Sequence, residues 1–597
     1  MIARSRSSRQ HTDKWYLRAM RSTTVLVALA LCCGLISCKK PGAPEGLLRP
    51  ALGGKMFGGV YRVNESGEVR GLDPVGINDV TSAHVAENIY DVLMAFDEHL
   101  RLRPELAHSY EVSADGRSYT YHLRTDVWFH DDQCFPGGNG RRMTARDVRY
   151  SFTRACDYRA NTRTYDYLRG KVVGADAYYA STRTGKPLPQ GVTGFVVVND
   201  STFRVDLEKP FAPFEFYVGL TSMSIHPREA VEHYGKDFFQ HPVGTGPFAF
   251  ESWSPDQHLM LRRNPKYWML DDHGNRLPLL DGVRFSFMKD DKMQLLEFQG
   301  GNLEESYRIP NEFFADIVDE RKQLKGPFAR FTLLRVPSVG TQYYGMLMTD
   351  PVFRDKRIRQ AFNYAVDRSR IIRYVLRGQA FGPATHGLVP PALPGYPADR
   401  VKGYTFDPVT ARALLAEAGY PDGKGFPKVT LQLNAGGGRN AQVAEAIQGM
   451  LAEHLNVSIE LTQVEFAQHL ERIDAGQTGF YRLGWVGDYP DPETFLNLFY
   501  GKLVPKDGGV SPINSVRYVN PAFDAVFEQA IGTTDHAARM DLFRQAEQIA
   551  IDDAPMLILF YDEDYRLVQR YVRDYRNNAM DKRPYKFIWF DASSQKR

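Results

Sequence analysis

Residues Val429–Leu461 narrow the fold of this chain more than any other stretch. Val429-Thr430-Leu431-Gln432-Leu433 reads as a strand after the turn residues Asp422-Gly423-Lys424-Gly425. Gln442 to Leu455 has helical periodicity, and Val457-Ser458-Ile459-Glu460-Leu461 alternates apolar and polar. Strand, helix, strand in that order is the crossover unit of a parallel sheet. An α/β fold with a mainly parallel sheet is therefore expected.

The rest of the chain agrees in class. Gly58-Gly59-Val60-Tyr61-Arg62-Val63 predicts a first strand. Ser109–Val112 and Tyr119–Arg124, with Asp115-Gly116 between them, predict a hairpin. Thr144-Ala145-Arg146-Asp147 has the spacing of a capping box, so a helix should start there and place Cys156 at its far end. Ile358, Ala361, Phe362 and Ala365 recur at helical spacing, and Ile371, Ile372, Val375 and Leu376 continue the pattern. Asp407-Pro408 reads as N-cap and first helical residue.

At 597 residues the chain holds about four domain-sized units. Charged residues at 24% and hydrophobic residues at 43% exclude wholesale disorder, and a mean hydropathy of −0.39 excludes a multi-span membrane protein. Arg4, Arg6, Arg9, Lys14, Arg18 and Arg21 precede the apolar run Val25–Ile36. As a helix that run would reach about 18 Å, short of ~30 Å of hydrocarbon, and the pattern is that of a secretory leader. Leu35-Ile36-Ser37-Cys38 resembles a bacterial lipobox, which makes Cys38 the expected site of lipidation. Without the leader's six basic residues and one acid, the net charge falls from +3 to −2, so nothing points to a nucleic-acid partner. Residues 39–53, rich in Pro and Gly, read as a tether. Cys134 and Cys156 then remain, and an even remainder in an exported chain suggests a disulfide between them.

No catalytic signature is present: no GxSxG, no HExxH and no phosphate-binding loop ending in GK followed by Ser or Thr. His130-Asp131-Asp132 reads as a turn at a strand end rather than an acid–base pair. No metal ligand set and no cofactor are expected.

A series of ordered blocks is present instead. Leu72-Asp73-Pro74, Pro104-Glu105-Leu106-Ala107, Trp128-Phe129-His130-Asp131 and Thr144–Val148 lead to Pro242-Val243-Gly244-Thr245-Gly246-Pro247-Phe248. Leu261–Trp268, Arg359–Arg368 and Leu414–Tyr420 follow, and the series ends at Gly484-Trp485-Val486-Gly487-Asp488-Tyr489-Pro490-Asp491-Pro492. Together these resemble the family 5 extracellular solute-binding proteins of ABC importers, over nearly the whole mature chain.

The resemblance implies a two-lobed, periplasmic-binding-protein-like fold with a hinge, an extra subdomain on lobe one, and no enzymatic activity. It implies a leader at 1–37, a tether at 38–53, lobe I from 54–90, 197–297 and 556–597, the subdomain at 91–196, and lobe II at 298–555. Ligand would be enclosed between the lobes. In the family's peptide binders the Asp at the position of Asp488 pairs with the peptide's α-ammonium. Trp485 would add a flat apolar wall, and Tyr343 and Tyr344 would line the pocket. Gly244 and Gly246 read as tight backbone geometry. The implied partners are a peptide or other small solute, permease and ATPase subunits, and the membrane through a lipid anchor. A monomer at the cell envelope, facing the periplasm or exterior, is expected. Two departures from the family stand out: Leu347-Met348 replaces a frequent Phe-Asn, and Asp132–Arg142 is an insertion that carries Cys134.

Overall fold

Two strands much longer than the usual five or six residues organise the molecule: Thr332–Met346 and Met556–Val568. They pair antiparallel from Thr332 opposite Val568 to Gly345 opposite Met556. Their register breaks between Pro337 and Thr341. On one side of that break, Val568 and Leu334 join the core that holds Tyr61, Phe285 and Tyr585. On the other side, Met556–Phe560 enter cores built, apart from Leu100, from residues between Val339 and Ala579. The two strands therefore run through both lobes. The computed structural model describes residues 47–435 and 438–593. The leader, Cys38 and the start of the tether lie outside them.

Lobe II is a seven-stranded sheet in the order Glu305–Tyr307, Met556–Val568, Thr332–Met346, Phe480–Val486, Val429–Asn434 and Ile459–Val464, with Gly382–Pro383 against Met556–Val568. The crossover read from the sequence is present: Val429–Asn434 runs parallel to Ile459–Val464 and to Phe480–Val486. The expectation of a mainly parallel sheet is corrected, because the ladders formed by the two long strands are antiparallel. Helices Lys356–Ala365, Pro408–Glu417 and Gly438–Leu455 cover one face. Helices Pro521–Gly532 and His536–Asp553 cover the other. The pattern expected to continue through Leu376 breaks instead. Asp367 accepts the Arg370 N–H at 2.9 Å and starts a new short turn, followed by a π-turn at Ile371–Val375.

Lobe I carries a four-stranded sheet in the order Phe248–Ser254, His258–Arg263, Gly282–Ser286 and Val60–Asn64, the last pair parallel. The subdomain is an all-antiparallel sheet of Ala107–Val112, Ser118–Leu123, Thr202–Asp206 and Phe195–Asn199. Its first two strands are the hairpin read from the sequence. The helix Ala145–Ala155 lies on this sheet, with Phe152 edge-on to Phe195 at 5.6 Å and to Phe203 at 5.5 Å. Its start is the expected capping box, in which Asp147 accepts the Thr144 N–H at 2.8 Å.

Three boundaries move. A break between 196 and 197 would separate Phe195–Asn199 from its partner Thr202–Asp206, so the subdomain continues past it. The 555/556 boundary falls at the start of Met556–Val568, whose first half pairs inside lobe II. The tether is already folded by Arg49–Pro50, which pairs with Met56–Phe57, and Arg49 meets Asp281 at 2.9 Å.

The disulfide is also corrected: Cys134 and Cys156 are free thiols. The Cys134 thiol faces Asp132 and Glu229, and Glu229 bonds Arg141, which also grips Asp147 at the helix start. Cys156 caps the other end of that 11-residue helix, about 16 Å away at 1.5 Å per residue. A disulfide needs Cα atoms within about 7 Å.

Candidate ligand-binding cleft

The block Gly484–Asp488 begins inside lobe II and leaves it. Gly484 lies opposite Gln342, Trp485 opposite Thr341, and Val486 opposite Gly340. A Cβ on Gly484 would come within 2.7 Å of the Gln342 amide, so only glycine lets that side chain lie across the strand. The strand ends at Val486, which is exposed.

Asp488 and Trp485 are brought together through one residue. The Asp488 N–H and the Trp485 indole N–H each reach the Thr494 hydroxyl at 3.4 Å. The Asp488 carboxylate is desolvated by burial, which pushes its pKa up to about 6; the hydroxyls of Tyr167 and Thr494 partly offset this, and Glu493 adds to it. It forms no ion pair among the described residues, and Lys582 acts on it only through its field. Tyr167 belongs to the subdomain side, so Asp488 lies where that unit faces lobe II.

Tyr343 and Tyr344 sit on opposite faces of the long strand Thr332–Met346, and the Tyr343 hydroxyl has no hydrogen-bond partner among the described residues. Successive strand residues point to opposite faces, and both faces of this strand are covered. Tyr343 is 1% exposed and packs with Leu388, Tyr481 and Phe495. Tyr344 is 2% exposed and packs against Phe480.

A group missed in the sequence lies near the break in the long strands. Gln342 donates to Asp562 at 2.6 Å, and Arg439 meets the same carboxylate at 3.4 Å. Arg482 donates to the Gln342 and Asn434 side-chain oxygens. Arg308, held at φ +63°, adds a third guanidinium within range of both Arg439 and Arg482. Burial lowers the pKa of Arg439 and Arg482, and Asp562 partly offsets it. Arg439 alone pairs directly with Asp562, and Arg308 lies in the field of both Asp564 and Asp562, so charges of both signs meet at this place. The one sequence sign was that Arg482 stands two residues before Gly484, on the same face of the strand.

The remaining motif residues are scaffold. His130 donates its backbone N–H to the Gly244 oxygen at 2.8 Å, and its ring meets the Gly246 oxygen at 2.9 Å. Burial pushes its pKa down to about 4. Asp131 accepts the Gly140 N–H and pairs with Lys266. A Cβ on Gly244 would strike the Ile89 oxygen at 2.2 Å, so that glycine serves close backbone packing.

Residues 101–505 match the model of the bacterial extracellular solute-binding proteins, family 5. The chain belongs to this family. It is 29% identical over 478 residues to the dipeptide-binding protein of Escherichia coli K12, covering 79% of this chain and 83% of that one. It is 28% identical over 520 residues to heme-binding protein A of Haemophilus influenzae, covering 85% and 87%. Among solved structures it resembles the Helicobacter pylori periplasmic binding protein DppA in complex with the peptide STSA, with a TM-score of 0.74 at 23% identity, over 90% of this chain and 98% of that one. The fold is that of these two-lobed binding proteins, and the chain is a solute-binding protein, not an enzyme. No helix among the described residues is long and apolar enough to cross a membrane.

Proposed function

We propose that the protein captures short peptides by their free amino end and presents them to an ABC permease, tethered outside the cytoplasm by lipid on Cys38. One observation carries the peptide reading. Asp488 is a desolvated carboxylate facing the subdomain, with no cation paired to it among the described residues. A buried charge without a partner is costly, and a cargo ammonium supplies that partner. The dipeptide-binding protein of E. coli and the peptide-bound H. pylori structure support this reading. The lipobox-like Leu35–Cys38 supports the anchor.

The test is calorimetric titration of the mature protein with di- to pentapeptides. Free-amine peptides should bind, and N-acetylated ones should not. An Asp488→Ala variant that binds as tightly as wild type would remove the assignment.

A second reading keeps the fold and changes the cargo to a non-peptide solute. A relative named for heme supports it. Under it, blocking the amine changes nothing.

A further inference from the structure

Tyr489, next in sequence to Asp488, belongs by chain to lobe II but by packing to the subdomain. It follows the lobe II strand Phe480–Val486 and precedes Glu493–Leu496, whose Phe495 and Leu496 lie in a lobe II core. Yet its own ring is 2% exposed within the core that holds the antiparallel sheet. Among the described residues, every other buried member of that core comes from between Val75 and Val243. Its ring stacks on Phe216 at 6.3 Å and stands edge-on to Tyr217 at 5.2 Å.

The surrounding contacts are of the same kind. Tyr489 donates its hydroxyl to Glu493. Lys171 of the subdomain acts on Glu493 through its charge and lies over the rings of Phe211 at 5.1 Å and Tyr217 at 5.5 Å. The Ala212 N–H donates to the Ile531 oxygen at 3.1 Å, a backbone bond between the two bodies. Pro490 and Pro492 stiffen the segment, and Asp491 N–H closes back on the Tyr489 oxygen at 2.9 Å. Asp488 and Tyr489 are adjacent in this stiffened segment, so the carboxylate facing Tyr167 and the seated ring meet the subdomain together.

We propose that Tyr489 is the latch of the cleft, a positioning residue that touches no cargo and holds the subdomain against lobe II by inserting its ring into the core of the subdomain. The hinge strands allow the two bodies to separate, and the seated ring favours the closed arrangement. That cargo pairs with Asp488 rests on the reading above; the latch itself does not.

The first test needs no ligand. Small-angle X-ray scattering of the cargo-free mature protein should show a larger radius of gyration for Tyr489→Ser than for wild type, and Tyr489→Phe should match wild type. Phe216→Ser removes the same seat from the other side and should repeat the Tyr489→Ser result; circular dichroism and thermal melting verify that each variant is folded. The second test uses tri-alanine. Tyr489→Ser should weaken its binding tenfold or more through a faster off-rate, and Tyr489→Phe should stay within twofold of wild type. The latch is overturned if the scattering curves of both Ser variants superimpose on that of wild type. It is equally overturned if tri-alanine affinity is unchanged in Tyr489→Ser while Asp488→Ala abolishes binding. If tri-alanine fails to bind even wild type, the peptide reading has failed, and scattering alone decides the latch.

Discussion

The guanidinium of Arg539 meets the carboxylate of Asp491 at 3.1 Å, with the two side chains 2% and 1% exposed. Burial pushes Asp491 up to about 7, and Arg539 is the main influence pulling it back. The Nε and Nη1 atoms of Arg539 have no hydrogen-bond partner among the described residues. The pair is therefore only partly satisfied, and what it prevents is a lone buried charge. Arg539→Leu should lower stability by roughly 3–5 kcal/mol in urea unfolding at pH 8. Adding Asp491→Leu should restore most of that loss. The single variant should lose less at pH 5, where Asp491 can take up a proton. A double variant as weak as the single one would show that the pair itself is the stabilising element.

Peptide affinity should depend on the ionisation of Asp488. Its free carboxyl titrates near about 6, raised by desolvation, and an ammonium bound beside it lowers that value. Between the bound and free values, affinity for tri-alanine should fall about tenfold for each pH unit of acidification, with proton release on binding. Above about pH 7 it should level off. Asp488→Asn should lose roughly 2–5 kcal/mol of binding and most of the pH slope. Titrations at pH 5, 6, 7 and 8 measure both, and an Asn variant that keeps the wild-type slope would assign the titration to another group.

Local signals made most elements legible, and distant pairings hid the rest. Thr144 with Asp147 and Asp407 with Pro408 announce their helices within a few residues, and the structure has both. Asp115-Gly116 does the same for the hairpin. The mixed sheet was hidden because Thr332–Met346 pairs with a strand more than 200 residues away, with no turn to mark the direction. The different surroundings of Tyr343 and Tyr344 are hidden for a related reason. A strand covered on both faces loses its period-two pattern, so neighbouring tyrosines look alike in sequence and enter different cores. Asp488 and Trp485 stand in one sequence block and share Thr494 in the fold. Arg308, Arg439 and Arg482 come from three separate segments and meet only in the fold.

The two free thiols give a direct chemical test. In the mature protein, Cys134 should react with a thiol reagent slowly, because nearby Asp132 and burial raise its pKa. Cys156, at 0% exposure, should react only after unfolding. Reductant should leave the melting temperature unchanged. Cys134→Ser should cost under about 1 kcal/mol, and Cys156→Ser about 1–3 kcal/mol from burying a hydroxyl in an apolar core. Intact mass spectrometry after alkylation in denaturant without reductant would refute the free state if neither residue were labelled.

Glu547 predicts how lobe II responds to pH. Its side chain is fully buried beside Gly387, accepts the Val389 N–H at 2.8 Å and takes the Tyr396 hydroxyl. Burial raises its pKa to about 7, and those hydrogen bonds only partly offset the effect. The folded protein thus holds this proton more tightly than the unfolded chain, whose carboxyl titrates near 4.5. The stability it contributes is complete below about pH 4.5 and is lost as pH rises through about 7, a change of about 3 kcal/mol over that window. Glu547→Gln keeps an oxygen for the two donors and removes the titration. Urea unfolding from pH 5 to pH 8 should therefore show a flatter profile for the variant, with its relative stability improving toward pH 8. Equal slopes for variant and wild type would mean that Glu547 is charged in the folded protein throughout.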